Sequence, residues 1–195
     1  MPLRYSRVAF HCVWETLVTL PPEWLPHYTV GDYRHWEGDW ELIEGIPFAM
    51  TPSATYLHQR AAVRIVTQLE QQLESCPACT VVFETDWIVA EDTVVRPDVA
   101  VFCEAVDGPY PRKPPRLVVE VLSDSTRRKD EGLKRALYAA HGVPHYLLVD
   151  PDVRRVQWLV LRGDQLEIRE HPGNDVIPLD LGPCRVTLDP SRFWG

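Results

Sequence analysis

The stretch Leu117-Val118-Val119-Glu120-Val121-Leu122 decides the reading of this chain. Near-continuous Val and Leu is the pattern of a strand covered on both faces. A carboxylate inside it is costly unless it is paired, protonated or metal-bound. Upstream, Arg96-Pro97-Asp98-Val99-Ala100-Val101-Phe102 repeats the theme, with Asp98 opening a second apolar run. Consecutive strands pair about two times in three, and paired strands lie about 4.8 Å apart. Asp98 and Glu120 are therefore expected to reach one divalent cation. The main-chain carbonyl of Val121 is a further candidate ligand.

Elements can be placed outward from this pair. Thr29 to Tyr33 reads as the start of a short helix, and 40–50 as two short strands about Gly45, the second tolerating Pro47 at an edge. A long helix follows, capped at Thr51 or Ser53 with Pro52 in its first turn. Leu57, Ala61, Ile65, Leu69 and Leu73 fall four apart on its inner face, widened by Ala62 and Val66. Strands are expected over 80–90, 94–102 and 116–122, then a helix over 126–141 with Leu133, Ala136, Leu137 and Ala140 inward. Gly142 and Pro144 stop that helix. A buried strand follows at 145–149, and short β segments at 153–162, 165–170 and 184–188 form a tail. The strand–helix–strand unit from Glu120 to Val149 should be a right-handed parallel crossover. The fold class is thus α/β (α+β), with a central mixed sheet flanked by helices. Residues 1–27 read as an N-terminal extension and 28–195 as the domain.

Composition bounds the function. At 195 residues with 45% hydrophobic content, the chain can build one sizeable core. No apolar stretch approaches the ~18 residues that would span a membrane, and no secretory leader is visible, so the cytoplasm is the default compartment. A net charge of -8 argues against coating nucleic acid by bulk attraction. It leaves room for local basic patches, and Arg112-Lys113-Pro114-Pro115-Arg116 and Arg127-Arg128-Lys129 flank the Glu120 strand. Either patch could equally be solvated loop charge. Cys76-Pro77-Ala78-Cys79 has CxxC spacing, but no second CxxC or nearby His completes a zinc site. Two incidental loop thiols are the simpler expectation.

Oxygen ligands without a Cys/His cluster favour Mg²⁺, with Mn²⁺ as a substitute. Such a centre activates water and offsets phosphodiester charge, usually beside a positioned cation. Lys134 is the candidate; the alternative is a surface pair with Asp130, four residues earlier.

The ordered series Arg96-Pro97-Asp98, Val119-Glu120-Val121-Leu122-Ser123, Asp130, Lys134, Tyr138, Gly142-Val143-Pro144, Tyr146 and Val149-Asp150 resembles the Uma2 family. Trp40-Glu41-Leu42-Ile43-Glu44-Gly45 and His58-Gln59 extend the resemblance upstream, over about 28–195. That family lies within the PD-(D/E)XK nuclease superfamily. The resemblance implies a restriction-endonuclease-like core, Mg²⁺-dependent endonuclease chemistry on DNA, and Asp98 and Glu120 as ligands. It also points to Lys134 as a relocated catalytic lysine, because Leu122 occupies the usual position two residues after the glutamate. Lys129 is the second choice. Glu41 competes with Glu44 as a third acid, and alternation allows only one of them inward. His58 could contact phosphate or water, or simply pack. His145 stands where the family commonly has Glu, and reads as lying outside the site. Nucleases of this superfamily are often dimers, and the β tail could supply an edge for a homodimer. The competing readings are a catalytically silent binding or scaffold protein that kept the fold, and a purely structural Glu120 paired with Arg96 or Lys134.

Overall fold

The computed structural model describes residues 24–50, 54–170 and 175–194. The apolar segment 8–14 and the helix cap expected at Thr51 or Ser53 lie outside them.

The buried run forms strand β7 (Leu117–Val121), with every residue buried. It sits inside a six-stranded sheet with order β10-β9-β8-β7-β6-β3. Here β3 is Thr80–Phe83, β6 Val99–Phe102, β8 His145–Asp150, β9 Arg155–Arg162 and β10 Gln165–Ile168. Only β7 and β8 are parallel, joined by the expected helical crossover; the other pairs are antiparallel. The mixed sheet is therefore as the sequence implies. A second sheet has order β2-β1-β5-β4, from β1 Trp40–Ile43, β2 Ile46–Ala49, β4 Trp87–Ala90 and β5 Thr93–Val95. Pro47 sits in β2, at the sheet edge, where its missing N–H costs no ladder bond. A hairpin of β11 (Ile177–Asp180) and β12 (Arg185–Leu188) completes the tail.

Two expected strands are each broken in two. The 80–90 run splits into β3 and β4, and the 94–102 run into β5 and β6. The halves belong to different sheets. The breaks fall at Glu84-Thr85-Asp86 and Arg96-Pro97-Asp98. Glu84 is left-handed, with φ 46°, and Pro97 has no N–H to donate to a ladder. Asp98 consequently lies in the bend before β6, not within a strand.

Side chains alternate across β7. Leu117, Val119 and Val121 pack with helix α2 (Tyr56–Leu73) and the β11–β12 hairpin. Val118 and Leu122 pack on the opposite face with Trp87, Val95, Leu137 and Tyr138. By this alternation Glu120 faces the second group. α2 begins after Thr55, whose side chain accepts the His58 N–H at 3.2 Å. Its inner stripe is as expected from Ala61 onward, but Leu57 is exposed.

The crossover helix departs most from its expected periodicity. Residues Lys129–Lys134 form a π-helical segment, followed by α3 (Arg135–Ala140). The wider turn rotates the inner face. Asp130, Lys134, Leu137, Tyr138 and Ala139 are buried, while Leu133, Ala136 and Ala140 are exposed.

The expectation of incidental thiols at Cys76 and Cys79 is overturned. Cys76 pairs with Cys184 across a separation of 108 residues, and Cys79 pairs with Cys103. The CxxC thus ties the end of α2 to the β11–β12 turn and to the end of β6. Its partners are remote in sequence, so spacing alone could not reveal them. Among the described residues, no helix is long and apolar enough to cross a membrane.

His145 is buried on β8, away from the acidic groups. Its Nε2 lies 3.1 Å from the Asp180 carbonyl, and the Trp158 indole N–H donates to Nδ1 at 3.4 Å. A neutral ring protonated on Nε2 satisfies both contacts; a second proton on Nδ1 would face the indole N–H. Burial, with the charges of Arg116 and Arg169, holds the His145 pKa below its ordinary value against the opposing pull of the Asp180 carbonyl. The unfolded chain therefore binds more protons here than the folded one below about pH 6.5, and stability falls as pH drops through that range. His145→Gln lacks this penalty. The stability advantage of wild type over His145→Gln should narrow between pH 7.5 and pH 5.5 in urea titrations; a constant gap would refute the assignment.

Candidate active site

The antiparallel register pairs Val99 with Val119. One step outward along it lie Asp98 and Glu120, so the two acids are neighbours as expected. Asp98 Oδ2 accepts the Val121 N–H at 2.6 Å, and Oδ1 lies 3.3 Å from His58 Nε2. It is thus the N–H of Val121 that touches Asp98. Burial alone would lower the His58 pKa, but its hydrogen bond and attraction to Asp98 outweigh burial and raise it.

Glu120 is 3% exposed. Its Oε1 accepts from the Tyr138 hydroxyl at 2.6 Å and from Lys134 Nζ at 2.9 Å. Arg96, the other partner considered for it, is engaged with Asp86 and Asp39 instead, at 2.7 Å each. Burial, then the charges of Asp130, Asp98 and Glu41, push the Glu120 pKa well up despite Lys134.

Glu41 on β1 is fully buried, while Glu44 is exposed in the following turn, so alternation selects Glu41. Both its oxygens are engaged. Oε1 accepts the Arg96 N–H at 2.9 Å and Lys134 Nζ at 2.7 Å; Oε2 meets Lys129 Nζ at 2.5 Å. Burial would raise its pKa, but the two lysines outweigh burial and hold it below the usual carboxylate value. Lys134 is itself 3% exposed, and the surrounding carboxylates overcome burial to raise its pKa well above the ordinary lysine value. This lysine is a fixed ammonium, not a surface partner of Asp130, whose Oδ1 stands 3.8 Å away.

The π-helical turn explains how Lys129 and Lys134 meet one acid. Residues five apart on an α-helix differ by about 140° in direction, whereas the i→i+5 turn of a π-helix stacks them. Asp130 and Tyr138 ride on the same inner face. Neither was singled out from the residues as a site group. A Gly at 132 in a helix interior and two lysines five apart were the available signals.

These groups line an open cleft of about 1070 Å³, together with Phe48, Glu84, Arg96, Leu122, Ser123, Arg128 and Asp152. The 127–129 patch borders it through Arg128 and Lys129. The 112–116 patch does not: Lys113 pairs with Glu104 at 2.8 Å, and the Arg116 guanidinium donates to the Leu181 carbonyl. Among the described residues, no three Asp, Glu, His or Cys groups stand ready to hold an ion as the side chains lie. The donors are nevertheless all oxygen. Four buried or part-buried carboxylates, Glu41, Asp98, Glu120 and Asp130, face two lysines and His58.

A family model described as "Uma2: Putative restriction endonuclease" matches residues 30–190. A solved structure from Anabaena variabilis ATCC 29413, described as a "putative nuclease belonging to DUF820", superposes with a TM-score of 0.68 at 16% identity. That match covers 86% of this chain and 97% of the other; at such identity it shows the fold. A cryo-EM structure of a DrdV–DNA complex matches 58% of this chain and 12% of that one, at 13% identity and a TM-score of 0.29. No curated protein matches.

Removing the ammonium from this box leaves buried Glu120 without a counter-charge and Glu41 with Lys129 alone. Lys134→Met should therefore cost about 3–5 kcal/mol at neutral pH. The cost should shrink toward pH 5, because the variant's carboxylates then take up protons in the folded state. Urea midpoints at both pH values test this; a loss under ~1 kcal/mol would place Lys134 among weak surface pairs.

Proposed function

The chain belongs to the Uma2 family, and from that premise we propose a divalent-metal-dependent endonuclease that hydrolyses phosphodiester bonds in DNA. Asp98 and Glu120 would hold Mg²⁺ or Mn²⁺, with the Val121 carbonyl as a further oxygen. The observation that carries this reading is the charge of the cleft. Carboxylates outnumber the lysines that face them, the acidic donors are oxygen, and hard cations select such sites. Bound there, the ion would supply activation of water and neutralisation of phosphate charge.

The chain's own groups then take distinct parts. Lys134, held protonated, does not serve as a general base. Its ammonium fixes Glu120 Oε1 and offers positive charge to the scissile phosphate. The Tyr138 hydroxyl holds the same oxygen, so both hydrogen bonds to Glu120 fall on Oε1 and leave Oε2 for the ion. Glu41 keeps Lys129 and Lys134 in register. His58, at 3.3 Å from Asp98, orients that carboxylate, and the contact raises the His58 pKa above its ordinary value. Arg128 lines the cleft and makes no ion pair among the described residues, which suits a phosphate contact outside the reacting bond.

One observation favours the second reading, a catalytically silent binding protein. Leu122 fills the position of the superfamily's lysine, and both Asp98 oxygens already have protein partners. Calorimetry separates the two. Wild type should bind Mg²⁺ or Mn²⁺, and Asp98→Ala and Glu120→Ala should not. Plasmid nicking should be lost by ~10²-fold or more in Glu120→Ala and reduced in Lys134→Ala. Cation binding without any cleavage of double- or single-stranded DNA would leave the silent reading standing.

A further inference from the structure

Asp130 is an acid of the cleft with one carboxylate oxygen that nothing bonds, although Lys134 and Thr126 both act on its charge. It is 2% exposed, and its Oδ1 is buried without a hydrogen bond. A buried carboxylate oxygen left unbonded costs more than an ordinary missing hydrogen bond. Lys134 does not repair this: at 3.8 Å it is beyond hydrogen-bond reach of Oδ1, and it already serves Glu41 and Glu120. Nor is the residue there by slack packing. Its N–H donates to the Thr126 carbonyl at 3.0 Å, and its own carbonyl accepts from the Tyr146 hydroxyl on β8 at 3.0 Å.

The backbone that carries it is also unusual. Asp130 lies within the π-helical segment Lys129–Lys134. Such turns are rare and concentrate at functional sites. This one turns Asp130 into the same cleft as Asp98 and Glu120. Its nearness to them is felt electrostatically, since Asp98 and Asp130 each act to raise the Glu120 pKa.

Resting on the metal-dependent reading above, we propose that Asp130 is a third carboxylate of the divalent-cation site, and that its unbonded Oδ1 is the group the cation satisfies. Direct ligation and a shared water both meet this description, since Mg²⁺ keeps several waters at protein sites. An acid that stabilises the empty fold would be expected to have a hydrogen-bonded partner, and Asp130 Oδ1 has none among the described residues.

The test needs no turnover. Mn²⁺ and Mg²⁺ are titrated calorimetrically into wild type, Asp130→Asn and Asp130→Glu, and melting temperatures are recorded with and without cation. Asp130→Asn should bind Mn²⁺ about 10–100-fold more weakly. Its metal-free melting temperature should stay level or rise, because a buried repulsive charge is gone. Asp130→Glu should recover part of the affinity. Wild-type affinity in Asp130→Asn, above all with a lowered metal-free melting temperature, would overturn the proposal and leave Asp130 a structural partner of Lys134. Wild type binding no cation would sink the metal reading itself, a result separate from the first. If Asp130→Asn does not fold, Asp130→Ser is read by the same cation-dependent shift.

Discussion

The Lys134 ammonium is the contact on which this structure turns. It joins β1 through Glu41 to β7 through Glu120, and it comes from the crossover helix. Two strands, one from each sheet, and the crossover helix therefore converge on one charge. Burying an ammonium and two carboxylates is costly, and the interaction pays only when geometry and additional hydrogen bonds are good. Here the Arg96 N–H, Lys129 and the Tyr138 hydroxyl provide those bonds. Trp87 stacks on Tyr138 and Tyr146 meets it edge-on, so the hydroxyl that reaches Glu120 is held by rings on both sides.

The site is thus layered by charge. Glu41 is saturated by cations and its pKa is depressed; Glu120 is only half answered and its pKa is raised. Two glutamates of one cleft are pushed in opposite directions by their neighbours. Such divergence separates a carboxylate that holds two cationic side chains from one whose charge is only partly met. Asp98 is anchored by a main-chain N–H and by His58.

Much of this was legible in the sequence for a simple reason. A strand buried on both faces must be apolar, so Glu120 in its run was conspicuous, and the crossover to β8 followed from the spacing of helix and strand. Alternation allowed only one of Glu41 and Glu44 inward, and the family resemblance favoured Glu41. What escaped was whatever depends on irregular backbone or on remote partners. Period 3.6 was read through 126–141, and the π-helical turn shifted the face, hiding Asp130 and misplacing Leu133. Continuous β-propensity joined β3 to β4 and β5 to β6, because both halves of each run are apolar. The pairing of Cys76 with Cys184 had no local trace at all. Lys134 lay between these cases: its candidacy and a pairing with Glu120 were legible, but its contact with Glu41 was not.

The bent hairpin that gave two strands to each sheet has a mechanical meaning. Its bends carry Asp86 on one arm and Arg96 and Asp98 on the other. Arg96 bonds to Glu41 on the small sheet, and Asp98 bonds to Val121 on the large one. Two residues apart, the chain grips both walls of the cleft. The angle between the sheets and the spacing of the acids are therefore one degree of freedom, so the cleft's aperture cannot change without moving its charges.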